Sequence, residues 1–203
     1  MSSSSPPPDA GTGFDPGFYP GFDPGLVDDL LDTVRRRPAR LGTTRVLGID
    51  GPSGSGKTTL ADRLADAAGA PVVRLDELYR GWDGLDEVGP LVEELLAPLR
   101  DGGTGRVARW DWHRDRLGDD VVVVPAPLIV LEGVGSGQAR LAPLLSLLVW
   151  VEAPVEERHR RGLERDGAAA AVALARWWQA EERHFEQEAT RSRADRIITT
   201  ASS

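Results

Sequence analysis

The 203-residue sequence has no cysteine. That excludes disulfides, cysteine nucleophiles and thiolate metal sites, and leads one to expect a cytoplasmic protein. Long apolar runs are missing as well. None approaches the roughly 20 residues of a membrane span, and the amino terminus has neither the basic nor the apolar stretch of a secretory signal. A membrane partner is therefore not expected. Positive charge is in deficit: 24 Lys and Arg stand against 32 Asp and Glu, for a net charge of −8. This argues against a nucleic-acid partner held by a general basic surface. Lysine is nearly absent, since 23 of the 24 basic residues are arginine and the remaining one is Lys57.

What is present begins at that lysine. Gly51-Pro52-Ser53-Gly54-Ser55-Gly56-Lys57-Thr58 fits the phosphate-binding pattern G-x-x-x-x-G-K-[ST] at every fixed position. A compact ammonium on a flexible stem can reach between two phosphates, whereas a planar guanidinium is a poor substitute. The apolar run Arg45–Asp50 reads as a strand before the loop, and Thr58–Ala68 reads as a helix after it. Strand, glycine-rich loop and helix together are the context a phosphate loop requires. The loop residues, with Thr59, are expected to hold the α- and β-phosphates of a nucleotide on backbone amides at the helix's positive end. Lys57 would bridge the outer phosphates, and the Thr58 hydroxyl would ligate Mg²⁺.

Further elements follow in alternation. Strands are expected at Pro71–Leu75, Leu128–Leu131, Leu147–Val151 and Arg196–Ile198. Helices are expected at Leu26–Arg37, Pro90–Arg100, Pro154–Arg165 and Ala168–Glu188, with extended segments at Val107–Trp112 and Val121–Val124 forming a small hairpin insertion. The alternation implies an α/β fold, a parallel sheet of about five strands with helices on both faces. Residues 1–25 are rich in Pro, Gly and Ser and repeat Gly-Phe-Asp-Pro, Gly-Phe-Tyr-Pro and Gly-Phe-Asp-Pro. They read as a flexible tail before one domain over residues 26–203, with four aromatics that could also dock a partner.

Asp76 and Glu132 end two apolar strands, at the sheet edge where open α/β folds bind ligands. They could hold Mg²⁺, and one could accept a proton from an attacking hydroxyl. Arg158, Arg161 and Arg165 recur at spacings of three and four and share one helix face. That row could clamp phosphates, or it could be a solvated face paired with Glu156, Glu157 and Glu164. Residues 109–116 pack Trp110 and Trp112 among charges. They could stack a flat ring in a pocket or simply anchor a hairpin. Trp177 and Trp178 read as helix packing, with Arg183 and Arg193 as secondary phosphate contacts.

Over Arg45–Thr199 the sequence resembles the uridine kinase-like branch of the P-loop kinases. The likeness rests on Gly51–Thr58, Asp76-Glu77-Leu78-Tyr79-Arg80, Trp110-Asp111-Trp112 with Arg116, and Leu131-Glu132-Gly133, in that order. The resemblance implies that Asp76 deprotonates the acceptor hydroxyl, that Glu132 helps hold Mg²⁺, and that the helix bearing Arg158, Arg161 and Arg165 is a lid. It also implies that Tyr79, Arg80, Trp110, Asp111, Trp112 and Arg116 line the acceptor side. ATP and Mg²⁺ are the implied cofactors and a nucleoside the implied acceptor, with room for a homo-oligomer. One departure is visible: the family's histidine three residues beyond the aromatic block is here Asp115. Two other readings stay open. Ile49–Gly54 also looks like cytidylate kinases, whose acceptor carries a phosphate that Arg80, Arg109, Arg114 and Arg116 could bind. A nucleotide-dependent switch without turnover is the third.

Overall fold

The computed structural model describes residues 22–23 and 25–200. Most of the expected tail therefore lies outside the described residues. Phe22, from the third repeat, is buried against the domain, with the Arg63 guanidinium 5.5 Å above its ring.

Helix α1 (Leu26–Arg36) buries Leu30, Leu31 and Val34 and stops before Pro38. Strand β1 (Arg45–Asp50) enters the phosphate loop, and α2 (Lys57–Ala68) leaves it. Strand β2 (Val72–Arg74) is shorter than expected, because Leu75–Glu77 turns into a 3₁₀ segment that carries Asp76. Helix α3 (Val88–Leu96) gives way to a second 3₁₀ turn, Ala97–Asp101, where Pro98 removes a helical donor. Strands β3 (Gly105–Asp111) and β4 (Arg116–Val123) form the antiparallel hairpin, with a bulge between Ala108 and Trp110. Then come β5 (Leu128–Glu132), β6 (Leu147–Glu152), α4 (Val155–Asp166), α5 (Ala171–Glu188), the short α6 (Thr190–Arg193) and β7 (Arg196–Thr199).

The large sheet is wholly parallel, in the order β2-β5-β1-β6-β7. Side chains of β1 and β5 alternate between its faces. Val46, Ile129 and Leu131 pack with α3, the hairpin and Trp177, whereas Leu47, Ile49 and Val130 pack with α1 and α2. This doubly covered sheet is the α/β arrangement expected. It brings the carboxyl ends of β1, β2 and β5 to one edge, where register places Arg74 and Ile49 on either side of Glu132. Among the described residues, no helix is long and apolar enough to cross a membrane.

Candidate active site

The phosphate loop is walled by backbone. At Gly51 (φ +138°) a Cβ would collide with the Val151 carbonyl, and at Gly54 (φ +76°) it would lie 2.6 Å from the Arg158 carbonyl. Only glycine meets both the left-handed backbone and the close approach. The turn closes on itself: the Ser55 amide and the Lys57 ammonium both donate to the Pro52 carbonyl, at 3.3 and 3.0 Å. Helix α2 starts at Lys57, so its positive end and first amides face the loop's concavity. Ser55, Lys57 and Thr59 are buried.

Three buried carboxylates feel the charge of that ammonium. Asp50 accepts the amides of Gly51, Gly135 and Gly137 at 2.7, 2.9 and 2.8 Å. Burial pushes its pKa up to about 6, against those three hydrogen bonds and the Lys57 charge. Burial also raises Glu132, with Lys57, Arg74 and the Thr58 hydroxyl opposing. Glu181 on α5 is likewise raised by burial, and Lys57 is the first influence opposing it.

A carboxyl raised in the folded chain binds its proton more tightly there than when unfolded. Its contribution is complete below the unfolded pKa of 3.8 and is lost as pH climbs to about 6. Asp50→Asn puts a donor where the Gly137 amide needs an acceptor, which costs about 1–3 kcal/mol at neutral pH. It is also expected to flatten the pH dependence of Tm between pH 4 and 6. Thermal unfolding across that range checks both effects, and a parental slope in the variant would remove Asp50 as their source.

The expected metal residues partly converge. The Thr58 hydroxyl lies 3.4 Å from Glu132 Oε1, across 74 residues of sequence. Arg74 pairs with Glu132 Oε2 at 3.6 Å and with Asp62 at 2.5 Å, and the Asp76 charge acts on the same guanidinium. One hydroxyl and one or two carboxylates, completed by substrate phosphates, make a set of hard oxygen donors that fits Mg²⁺. Among the described residues, no cluster of three or more His, Asp or Glu could hold a metal by itself.

The hairpin reaches the same edge, where the Trp112 indole donates to the Asp76 carbonyl at 2.9 Å. Trp82 meets Trp112 and Trp177 edge-on, with centroids 5.8 and 6.2 Å apart, and Tyr79 packs on Trp177 at 5.0 Å. Tyr79 is buried and donates to the Val134 carbonyl, so it supports this aromatic wall from behind. Asp111 is occupied in the hairpin turn: it accepts the amides of His113 and Arg114 and pairs with the Arg114 side chain. Trp110 is partly buried, whereas Arg80 and Arg116 are exposed.

Both readings of the arginine row find support on α4. Arg161 is buried, pairs with Glu157 at 2.8 Å and donates to the Gly54 carbonyl at 3.1 Å, while Arg158 donates to Ala153 at its helix's start. Arg165 lies farther along and pairs with Asp166. Arg160, not singled out in the sequence, forms the solvated network with Glu157 and Glu164. Arg193 donates to the carbonyls of Glu188 and Gly137, and Arg183 is exposed. Trp177 packs in the core, as expected. Trp178 stacks on His159 of α4, with centroids 3.6 Å apart and planes 13° from parallel.

No family model matches the chain. Individual relatives do. A uridine kinase of Lactobacillus johnsonii is 30% identical over 141 residues, covering 60% of this chain and 67% of the relative. The chain belongs to the uridine kinase-like branch of the P-loop kinases. A cytidylate kinase of Nitratidesulfovibrio vulgaris is 44% identical over 123 residues, 56% of this chain and 47% of the relative. In three dimensions, a structure of a possible uridine kinase from Bacillus stearothermophilus superposes with a TM-score of 0.60 at 22% identity. It covers 85% of this chain and 96% of that one, and supports the fold. As a member of this branch, the chain is a small-molecule phosphotransferase that uses a nucleotide.

Proposed function

We propose that the chain moves the γ-phosphoryl group of ATP to a hydroxyl of a nucleoside. The observation that carries this reading is the meeting of three parts at one sheet edge: the Lys57 loop, the Thr58–Glu132 pair and the Asp76 turn tied to Trp112. Loop amides and Lys57 bind the donor's phosphates. Thr58 and Glu132 would hold Mg²⁺, which would supply charge neutralisation when bound. Asp76 accepts the hydroxyl proton as the oxygen attacks phosphorus in line, and the bond to ADP breaks on the far side. Arg161 and Arg158 flank the loop, Arg161 bonded directly to it, where they offset negative charge spreading over the transferred group.

The cytidylate kinase relatives favour a second reading, an acceptor that already carries a phosphate. Such an acceptor needs convergent free cations. Arg109 is instead paired with Glu77 at 3.5 Å and Arg114 with Asp111, while Arg80 and Arg116 lie exposed. A partly buried aromatic wall without a gathered basic patch suits an uncharged ring system better.

The test is ADP release with Mg·ATP and a panel of nucleosides, nucleoside monophosphates and sugars. Acceleration by one or more nucleosides, with a phosphorylated nucleoside as product, is the expected result. Acceleration by monophosphates alone would establish the second reading. Hydrolysis indifferent to every acceptor would leave a nucleotide switch.

A further inference from the structure

No sequence motif marks Glu181, yet it is among the most buried charged groups of the chain, at 2% exposure. Its neighbour Glu182 is exposed on the same helix. One oxygen, Oε1, accepts the Ser53 amide at 2.9 Å and the Trp177 indole N–H at 2.6 Å. Ser53 belongs to the phosphate loop, 128 residues away. Trp177 belongs to the aromatic wall with Tyr79 and Trp82. The next residue, Trp178, stacks on α4 through His159. One stretch of α5 therefore touches the loop, the aromatic wall and α4.

A carboxylate in such a place is costly if packing is all it supplies, because an apolar side chain of similar size avoids the desolvation. Its return is geometric: one oxygen accepts two buried N–H groups from distant parts of the chain, neither of which an apolar side chain could satisfy. Burial works against the charge, and Lys57, Ser53 and Trp177 work for it.

We propose that Glu181 is a positioning residue for phosphoryl transfer, holding the Pro52–Ser53 arm of the phosphate loop in its binding shape and tying that arm to the aromatic wall through Trp177. The inference rests on Gly51–Thr58 being the nucleotide's phosphate site. With the Ser53 amide already satisfied by protein, this arm stays in place as a nucleotide arrives, and the phosphates fall to the amides nearer α2. Glu181 touches no reacting atom; it acts through the loop's geometry.

The test is calorimetric titration of the full chain with Mg·ADP, each variant held well below its own Tm. Glu181→Ala is expected to weaken ADP binding about 10-fold or more, since the shared acceptor is lost and the Ser53 amide is left without its partner. Glu181→Gln keeps a carbonyl oxygen for both donors and is expected to recover most of that loss. Trp177→Phe keeps the carboxylate but frees it from the indole, and is expected to fall between the two. Should Glu181→Ala not fold, the other two variants decide. A lowered Tm with parental ADP affinity would reduce Glu181 to a structural residue and overturn the proposal. Equal losses in Glu181→Ala and Glu181→Gln would overturn it as well, by making charge rather than hydrogen-bond geometry the property that matters. If the unaltered chain itself fails to bind ADP, the nucleotide reading falls and this one with it. Unchanged affinity in the variants sinks this inference alone.

Discussion

Replacing Asp76 by Asn is expected to slow phosphoryl transfer by about 10²–10⁴-fold, the range of a lost general base, while Mg·ADP affinity stays at the parental value. The carboxylate sits in a 3₁₀ turn whose carbonyl is pinned by the Trp112 indole, so the amide occupies the same place without accepting a proton. Two measurements separate its roles: single-turnover transfer to the best acceptor, and ADP titration with Mg²⁺. A fall in affinity that matches the fall in rate would assign Asp76 to the metal. A parental transfer rate would remove it from the chemistry. Retained ADP affinity with lost transfer identifies the base.

Lys57→Met should produce the second large effect, a fall of about 10²–10³-fold in turnover, as for loss of one preorganised charge partner in a transition state. A consequence for stability follows from its neighbours. Asp50, Glu132 and Glu181 all have Lys57 among the influences holding their pKa values down. Without it each is pushed higher still. Carboxyl groups raised in the folded state lend stability at low pH that is lost as pH rises through the folded pKa. Lys57→Met is therefore expected to lower Tm more at pH 7.5 than at pH 5.5, and nucleotide-free thermal unfolding at the two values checks it. An equal shift at both would mean that the ammonium does little for these carboxylates. Lys57→Arg should restore charge without restoring turnover, because the guanidinium is wider and cannot curl back to Pro52 in the same way.

Much of the candidate site was legible in the sequence wherever the chemistry is written in consecutive residues. The phosphate loop is a backbone device whose glycines must be adjacent, so Gly51–Thr58 could be read directly, as could the apolar runs that became β1, β5 and β6. The placing of Glu132 at the end of β5, and of Asp76 in the turn just beyond β2, followed from the topology of parallel sheets. Partners set by register or by helix packing were not legible. Arg74 lies beside Glu132 only because β2 pairs with β5 in that register. Asp50 looked like the last residue of a strand, but its role depends on amides 85 and 87 positions away. Glu181 shows in sequence only as an acid four residues after a tryptophan, and its chief partner is a backbone amide that carries no residue identity. Asp111 ran the other way: a motif pointed to the acceptor, and the hairpin turn uses its carboxylate for local amides. Two boundaries shifted at identifiable residues, Leu75 for β2 and Pro98 after α3; the hairpin strands also begin earlier than expected, β3 at Gly105 and β4 at Arg116, where pairing extends them past their apolar residues.

The strand order also sets a timetable. The central strand β1 pairs only with β5 and β6, so Arg45 waits for Leu128, and the wall beside Gly51 is the carbonyl of Val151. At a synthesis rate of about 5–20 residues per second, the loop emerges roughly 5–20 s before the last of that wall exists. Such long-range pairing also slows the fold's closure compared with local helical contacts. The nucleotide site, encoded near the start of the domain, is therefore completed only when most of the chain has been made. A nascent chain halted before residue 128 should gain no protection from ADP.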